Sequence, residues 1–117
     1  MIRKILVRIM VDKINVLLVC ALGMSSSLLE LRIKEAAEKR GIPLEIKAVA
    51  VHDYEKEDFS TVNVILVAPQ ARLVYHALKE KGEQFGAVTL VIDPMAYGLV
   101  NGEAVLDQIL KALEAKK

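Results

Sequence analysis

An α/β fold built on a four-stranded parallel sheet is what this sequence predicts, and three observations carry that prediction. Short β-branched runs alternate with amphipathic, helix-like segments along the chain. Two of the runs, Ile14–Val19 ("INVLLV") and Val62–Ala68 ("VNVILVA"), are almost continuously apolar, as strands covered on both faces are. A third, Leu44–Val51 ("LEIKAVAV"), begins with alternation, Leu44 and Ile46 against Glu45 and Lys47, which suits the edge of a sheet. Strand, helix, strand in repetition implies right-handed crossovers, with helices on both faces. With strand 2 at an edge, the economical order is 2-1-3-4.

The elements follow in order. After strand 1 (Ile14–Val19), a helix is expected from Ser25 to Arg40. Serines stand at its start, Leu29, Ile33 and Ala37 recur four apart on one face, and Lys39 and Arg40 fill the last turn. Gly41 and Pro43 end it. Strand 2 leads into "HDYEKEDFST", which is polar and too short for more than a turn or two of helix; "HDYEKEDF" reads as a solvated surface. Strand 3 stops at Pro69, and a helix is expected from Ala71 to Lys81. Ala87–Ile92 ("AVTLVI") is strand 4, ended by Asp93–Pro94. The last helix, from Gly102 to Ala115, carries Val105, Leu106, Ile109, Leu110 and Leu113 on one stripe.

At 117 residues the chain is sized for one domain, and an apolar content of 54%, mostly aliphatic, supports a packed core rather than disorder. The absence of Trp and the scarcity of Phe and Tyr remove stacking platforms for single-stranded nucleic acid. A net charge of +1 leaves no electrostatic footprint for DNA or RNA. A single cysteine cannot form an internal disulfide, which places the chain in a reducing, cytoplasmic compartment. No apolar run approaches the ~20 residues of a membrane span. The opening "MIRKILVRIMVDK" is basic and apolar like a signal peptide, but Arg8 interrupts it and no cleavage site follows. Residues 1–12 are therefore expected to be an extension, disordered or preceding a true start at Met10, with the domain at 13–117.

In a 2-1-3-4 sheet the chain changes direction between strands 1 and 3, and ligands bind in that crevice, beyond the carboxyl ends of the strands. Cys20 and Pro69–Gln70 fall there. Cys20 opens the stretch "CALGMSSSLLE", a turn followed by a helix start. Backbone N–H groups at a helix N-terminus hold anions, and the helix dipole adds about half a positive charge. Gly23 relieves crowding, and Ser25, Ser26 and Ser27 offer hydroxyl donors or helix caps. The same field favours thiolate over thiol at Cys20, which makes it a better nucleophile. Attack on phosphorus would leave a phosphocysteine with amides already placed around its oxygens. From the residues alone a second reading stands beside this one: Cys20 as a buried filler and the serines as caps only. A Walker-type loop is excluded because no Gly-Lys-Ser/Thr follows, and a dinucleotide fingerprint because the turn holds one glycine.

The remaining candidates are lesser. Gln70 is a candidate polar wall of the crevice, or a loop-stabilising amide. Asp93 either faces the loop or caps the turn before Pro94, and the cap is preferred. Tyr97 either brings a hydroxyl to the rim or packs. His52 and His76 stand without cysteine or carboxylate partners at ligand spacing, so no metal site and no cofactor is expected. Met24, Met95 and Leu99 are placed near the crevice mouth as a docking surface, with core packing as the plain alternative for Met95.

With these residues in view, the chain resembles the IIB component of the bacterial sugar phosphotransferase system, lactose/cellobiose (chitobiose) class. The resemblance covers Lys13 to Ala115. Cys20 with "ALGMSSSLL" is similar to that family's Cys-x-x-Gly-Met-Ser-x-Ser-Leu-Leu loop, "ILVAPQ" (Ile65–Gln70) to its strand 3 and Pro-Gln turn, and "VIDPMAYGLVNGEAVL" (Val91–Leu106) to its strand 4, Tyr-Gly loop and last helix. The resemblance implies a low-molecular-weight-phosphatase-like fold and a protein-phosphocysteine–sugar phosphotransferase. Cys20 would accept phosphoryl from a IIA phosphohistidine and pass it to a sugar, a β-linked disaccharide by family expectation, at the membrane IIC component. Ala21, Leu22, Gly23, Met24, Ser25, Ser26 and Ser27 would form the phosphate cradle, on a protein peripheral to the membrane transporter. Arg72, just after the Pro-Gln turn, departs from the family pattern.

The alternative is a low-molecular-weight tyrosine phosphatase or arsenate reductase, similar in fold and loop. Those enzymes use Cys-x5-Arg, and the arginine's position is Ser26 here. Their Asp-Pro loop does resemble "DPMAYG" (Asp93–Gly98). A carrier must protect its phosphocysteine from water until a partner docks, so loss of the arginine suits the carrier. A third class, an interaction module with an inert thiol, predicts that alkylating Cys20 changes nothing.

Overall fold

Seven residues from Ile14 to Cys20 form β1, and five of them, Val16 to Cys20, are buried because neighbouring strands and helices cover them on every side. The computed structural model describes residues 13–21 and 23–116, so the extension expected over residues 1–12 lies outside them. β1 pairs in parallel with β2 (Leu44–Ala50) and β3 (Val64–Val67), and β3 pairs with β4 (Val88–Val91), giving the order β2-β1-β3-β4. This is the order that the alternation in strand 2 implied. In β2 Ile46 is buried while Glu45 and Lys47 are exposed, and the charges sit where an unpaired edge needs them.

The strand period of two divides the core between the two faces. Val16, Leu18, Ile46, Val64, Leu66 and Ile92 pack on one side against Leu29 and Ile33 of α1 (Gly23–Lys39) and Val105 and Ile109 of α4 (Gly102–Lys116). Leu17, Val19, Ile65 and Val67 pack on the other against Leu78 of α2 (Tyr75–Gln84), with Phe59 and Ala71. The expected face of α1 is the buried one: Leu29, Ile33 and Ala37 are each at most 2% exposed. Of the stripe on α4, Val105, Leu106 and Ile109 are buried, and Leu110 and Leu113 are half-buried.

The end of α1 is the one expected. Gly41 adopts φ 67°, Ile42 N–H donates to Ala37 O (2.9 Å) and Gly41 N–H to Glu38 O (3.1 Å), which closes the helix in a Schellman turn. Arg40, just before Gly41, donates to Asp107 (2.8 Å) and Glu103 (2.6 Å) of α4, and these two carboxylates hold its guanidinium further on the charged side of its ordinary range.

Three expectations are corrected. The helix after strand 3 does not begin as an α-helix at Ala71. Pro69–Val74 is a 3₁₀ segment, and the α-helix starts at Tyr75. Ala68 stands at the cap and brings no side-chain acceptor, so the first turn tightens, with Ala71 N–H donating to Ala68 O (2.8 Å). The segment after strand 4 is not only a loop: α3 (Pro94–Gly98) begins on an Asp93 cap with proline in its first turn. And "HDYEKEDF" is not all solvated. Asp58 accepts from Ser60 N–H (2.9 Å), a bond that holds its carboxyl below the usual carboxylate range, and the 3₁₀ turn Phe59–Thr61 buries Phe59 to 1% exposure.

Phe59 stacks on Phe85 (centroids 6.3 Å apart) under the Lys81 ammonium (5.3 Å) and fills the gap between β1, β3 and α2. Phe59→Ala is expected to cost about 3–5 kcal/mol by emptying that space. A urea titration against the native chain reads the loss directly.

Between α3 and α4 the chain turns in three residues. Asn101 N–H donates to Ala96 O (2.9 Å) and Val100 N–H to Tyr97 O (3.1 Å), the Schellman pattern again. The left-handed position is held by Val100, at φ 51°, whose side chain packs against the α1/α4 side of the core. A β-branched residue is a poor fit to that conformation, and the packing offsets the strain. Asn101 then caps α4, accepting from Ala104 N–H (3.1 Å). Gly102, buried, lets α4 start against the backbone of α1 at Arg32.

Candidate functional site

All four strands run the same way, so their carboxyl ends form one rim, and the sequence-predicted residues gather along it according to strand order. Cys20 is the last residue of β1, level with Ala50 of β2, and its backbone carbonyl accepts from Val51 N–H (2.7 Å). On its other side Ala68 N–H donates to Val19 O (2.9 Å), which brings Pro69 and Gln70 alongside. Cys20 is therefore held between two strands, in the crevice where the chain reverses direction.

The Cys20 side chain is 1% exposed, and its Sγ lies 3.5 Å from Val49 O, to which the thiol donates. Three residues on, at Gly23, α1 begins, two residues earlier than expected, and runs for 17 residues. Its first turn contains no acidic residue. The first N–H groups of an α-helix have no partner within the helix, and its N-terminal end carries the positive end of the dipole. Of the expected cradle, Leu22 and the side chains of Gly23, Met24, Ser25 and Ser26 lie outside the described residues. Ala21 is half-buried and Ser27 is exposed.

The lesser candidates sort by geometry. Gln70 is exposed at the turn beside β1. Asp93 accepts from Ala96 N–H (2.9 Å) and so caps α3, the preferred of its two readings. Tyr97 is half-buried, with its side chain packed against the α1/α4 side of the core. Met95 and Leu99 are 71% and 70% exposed, so core packing does not account for Met95. Leu73, which sequence reasoning passed over, is 93% exposed in the 3₁₀ segment after β3. Arg72 is exposed on the same segment. His52 is exposed, 3.7 Å from the Asp53 carboxylate, and His76 is exposed with its ring edge-on to Tyr75. Among the described residues no group of three or more His, Cys, Asp or Glu is placed to hold a metal.

A groove of about 700 Å³ between α1 and α4, lined by Arg32, Glu35, Lys39 and Glu103 among others, shares no residue with the Cys20 turn. Its wall of mixed charges makes it a surface cleft. No helix among the described residues is long and apolar enough to cross a membrane.

Comparison with known proteins agrees with this geometry. The family model described as "PTS system, Lactose/Cellobiose specific IIB subunit" matches residues 15–108. The chain is 37% identical over 99 residues to the oligo-β-mannoside-specific EIIB component of Bacillus subtilis (strain 168), covering 85% of this chain and 95% of that protein. It is 34% identical over 101 residues to the galactose-specific EIIB component of Lactococcus lactis subsp. cremoris (strain MG1363), covering 83% and 93%. The solution structure of a cellobiose-specific IIB component from Borrelia burgdorferi superposes with a TM-score of 0.70 at 34% identity, over 90% of this chain and 95% of that one. These matches do not favour a phosphatase, in keeping with Ser26 standing where its arginine would be. The chain belongs to the lactose/cellobiose-specific IIB subunits of the phosphotransferase system, and its activity is phosphotransfer in sugar uptake.

Proposed function

We propose that Cys20 is the atom-bearing station of that transfer, a phosphocysteine carrier between a IIA phosphohistidine and a sugar at the membrane IIC component. The observation that carries the proposal is a lone buried cysteine ending β1 immediately before the acid-free N-terminus of a long helix. In the first step the sulfur, as thiolate, attacks phosphorus. The S–P bond forms, the P–N bond to histidine breaks, and the imidazole leaves with its electron pair and takes a proton. In the second step a sugar hydroxyl attacks, the S–P bond breaks, the hydroxyl proton is lost, and the thiolate returns. Backbone N–H groups of residues 21–27 take the charge of the phosphoryl oxygens in both steps.

Burial suits a carrier. Burial shields the thiol from other electrophiles, and a partner that covers the rim would keep water from the phosphoryl group during transfer. Leu73, Met95 and Leu99, exposed on the segments after β3 and β4, supply apolar contact for such a partner. The relatives described above are named for oligo-β-mannoside, galactose and cellobiose at similar identity, so a carrier of this kind serves several sugars. We assign this one a β-linked disaccharide and a place at the cytoplasmic side of its transporter.

The test is intact mass. Incubated with a histidine-phosphorylated IIA protein of the lactose/cellobiose class, the chain is expected to gain a single phosphoryl group, mapped to the peptide containing Cys20. It is expected not to turn over p-nitrophenyl phosphate. Catalytic release of nitrophenol, or no gain in mass, would refute the carrier.

A further inference from the structure

We infer that Gln108 is a positioning residue for donor docking: its side-chain amide acts as one step of a missing fifth strand and anchors the turn that presents Met95 and Leu99.

Among the described residues β4 pairs on one side only, with β3. Ile92 N–H is used on that side, donating to Val67 O (2.9 Å). Backbone groups alternate in direction along a strand, so Val91 C=O and Asp93 N–H turn to the open edge. In a parallel ladder, a residue of the next strand would donate its N–H to the first and accept at its C=O from the second. Gln108 of α4 does both with its side chain. Its Nε2 donates to Val91 O (3.3 Å) and its Oε1 accepts from Asp93 N–H (2.9 Å). The amide reproduces a peptide group at the last position of the open edge, where strand gives way to turn.

The consequence lies in α3. Five residues are too few to hold a helix by their own hydrogen bonds, so its placement depends on its anchor. The anchor is Asp93: its carboxylate accepts from Ala96 N–H (2.9 Å), its carbonyl from Tyr97 N–H (2.9 Å), and its own N–H is fixed by Gln108. α3 and the residue after it carry Met95 and Leu99, exposed on the rim that holds Cys20. An amide on the far helix thus sets where two docking side chains stand, without touching phosphate or sulfur.

This rests on the carrier reading above, and the experiment separates the two. In the full chain, Gln108→Met keeps the length of the side chain and removes both polar groups. Gln108→Ala is run beside it, so that misfolding of one variant leaves the other to decide. With histidine-phosphorylated IIA protein at varied concentration, the half-saturating donor concentration for Cys20 phosphorylation is expected to rise roughly fivefold, the scale of one ordinary net hydrogen bond. The limiting rate is expected to stay at the native value, and amide exchange at Asp93 to quicken. An unchanged half-saturating concentration overturns the inference, as does a fall in limiting rate without a change in half-saturation. A native chain that takes no phosphate overturns the carrier reading, whereas a native chain that is labelled beside a variant with native docking overturns only the role of Gln108.

Discussion

Cys20→Ser is expected to take up no phosphate from a histidine-phosphorylated IIA protein, with its intact mass staying at the unlabelled value while the native chain is converted. The change is small in volume. Serine keeps a donor for Val49 O, the acceptor of the native thiol at 3.5 Å, so the fold is expected to survive. What is lost is the nucleophile. A thiol is intrinsically far more acidic than an alcohol and sulfur is the better nucleophile, so a hydroxyl in its place offers no comparable attack on phosphorus. Circular dichroism of the variant controls for folding. A phosphorylated Cys20→Ser chain would move the acceptor elsewhere and sink the assignment.

Gly102→Ala is expected to destabilise the domain by about 3 kcal/mol, the upper end for overpacking, and to lower the thermal midpoint by roughly 10–20 °C. Helix propensity pulls the other way, since alanine is better than glycine by about 0.5–1 kcal/mol within a helix. Geometry settles which wins. A Cβ at Gly102 would fall inside the contact distance of the Arg32 carbonyl carbon and oxygen, and 2.8 Å from its Cβ. Two of these atoms are backbone, which cannot rotate away, so α4 must move off α1. Gly98→Ala is the control, because a Cβ there meets nothing within 4 Å. Equal midpoints for the two variants would show that the α1–α4 contact is slack. Since α1 begins just after Cys20, Gly102→Ala is also expected to slow phosphorylation in whatever fraction remains folded.

Much of this architecture was legible because hydrophobic period is set by burial. β1 and β3 lie between two layers of helix and read as almost continuous apolar runs. β2, at an edge, reads as alternating, and that difference, with right-handed crossovers, made β2-β1-β3-β4 the economical order. Cys20 was legible for a related reason: the end of a buried strand before a helix start is a place defined by the fold. What escaped was structure without a period. Phe59 stands in a polar run with no apolar period around it, and only the packed space between β1, β3 and α2 shows why it is there. α3 is five residues long, shorter than any window in which a helical stripe can be counted, although Asp93–Pro94 carried its cap and first-turn signal. Gln108 looks like any polar residue flanking the apolar stripe of α4. Its partners are backbone atoms of a strand 15 and 17 residues away in sequence, and no side-chain pattern reports them.

One geometric fact bears on how phosphate moves. Cys20 ends β1 at the carboxyl rim of a parallel sheet. On the carrier reading proposed above, giver and receiver would both have to reach that one sulfur from the same side, so the relay would run as a ping-pong exchange with a charged carrier between its two halves.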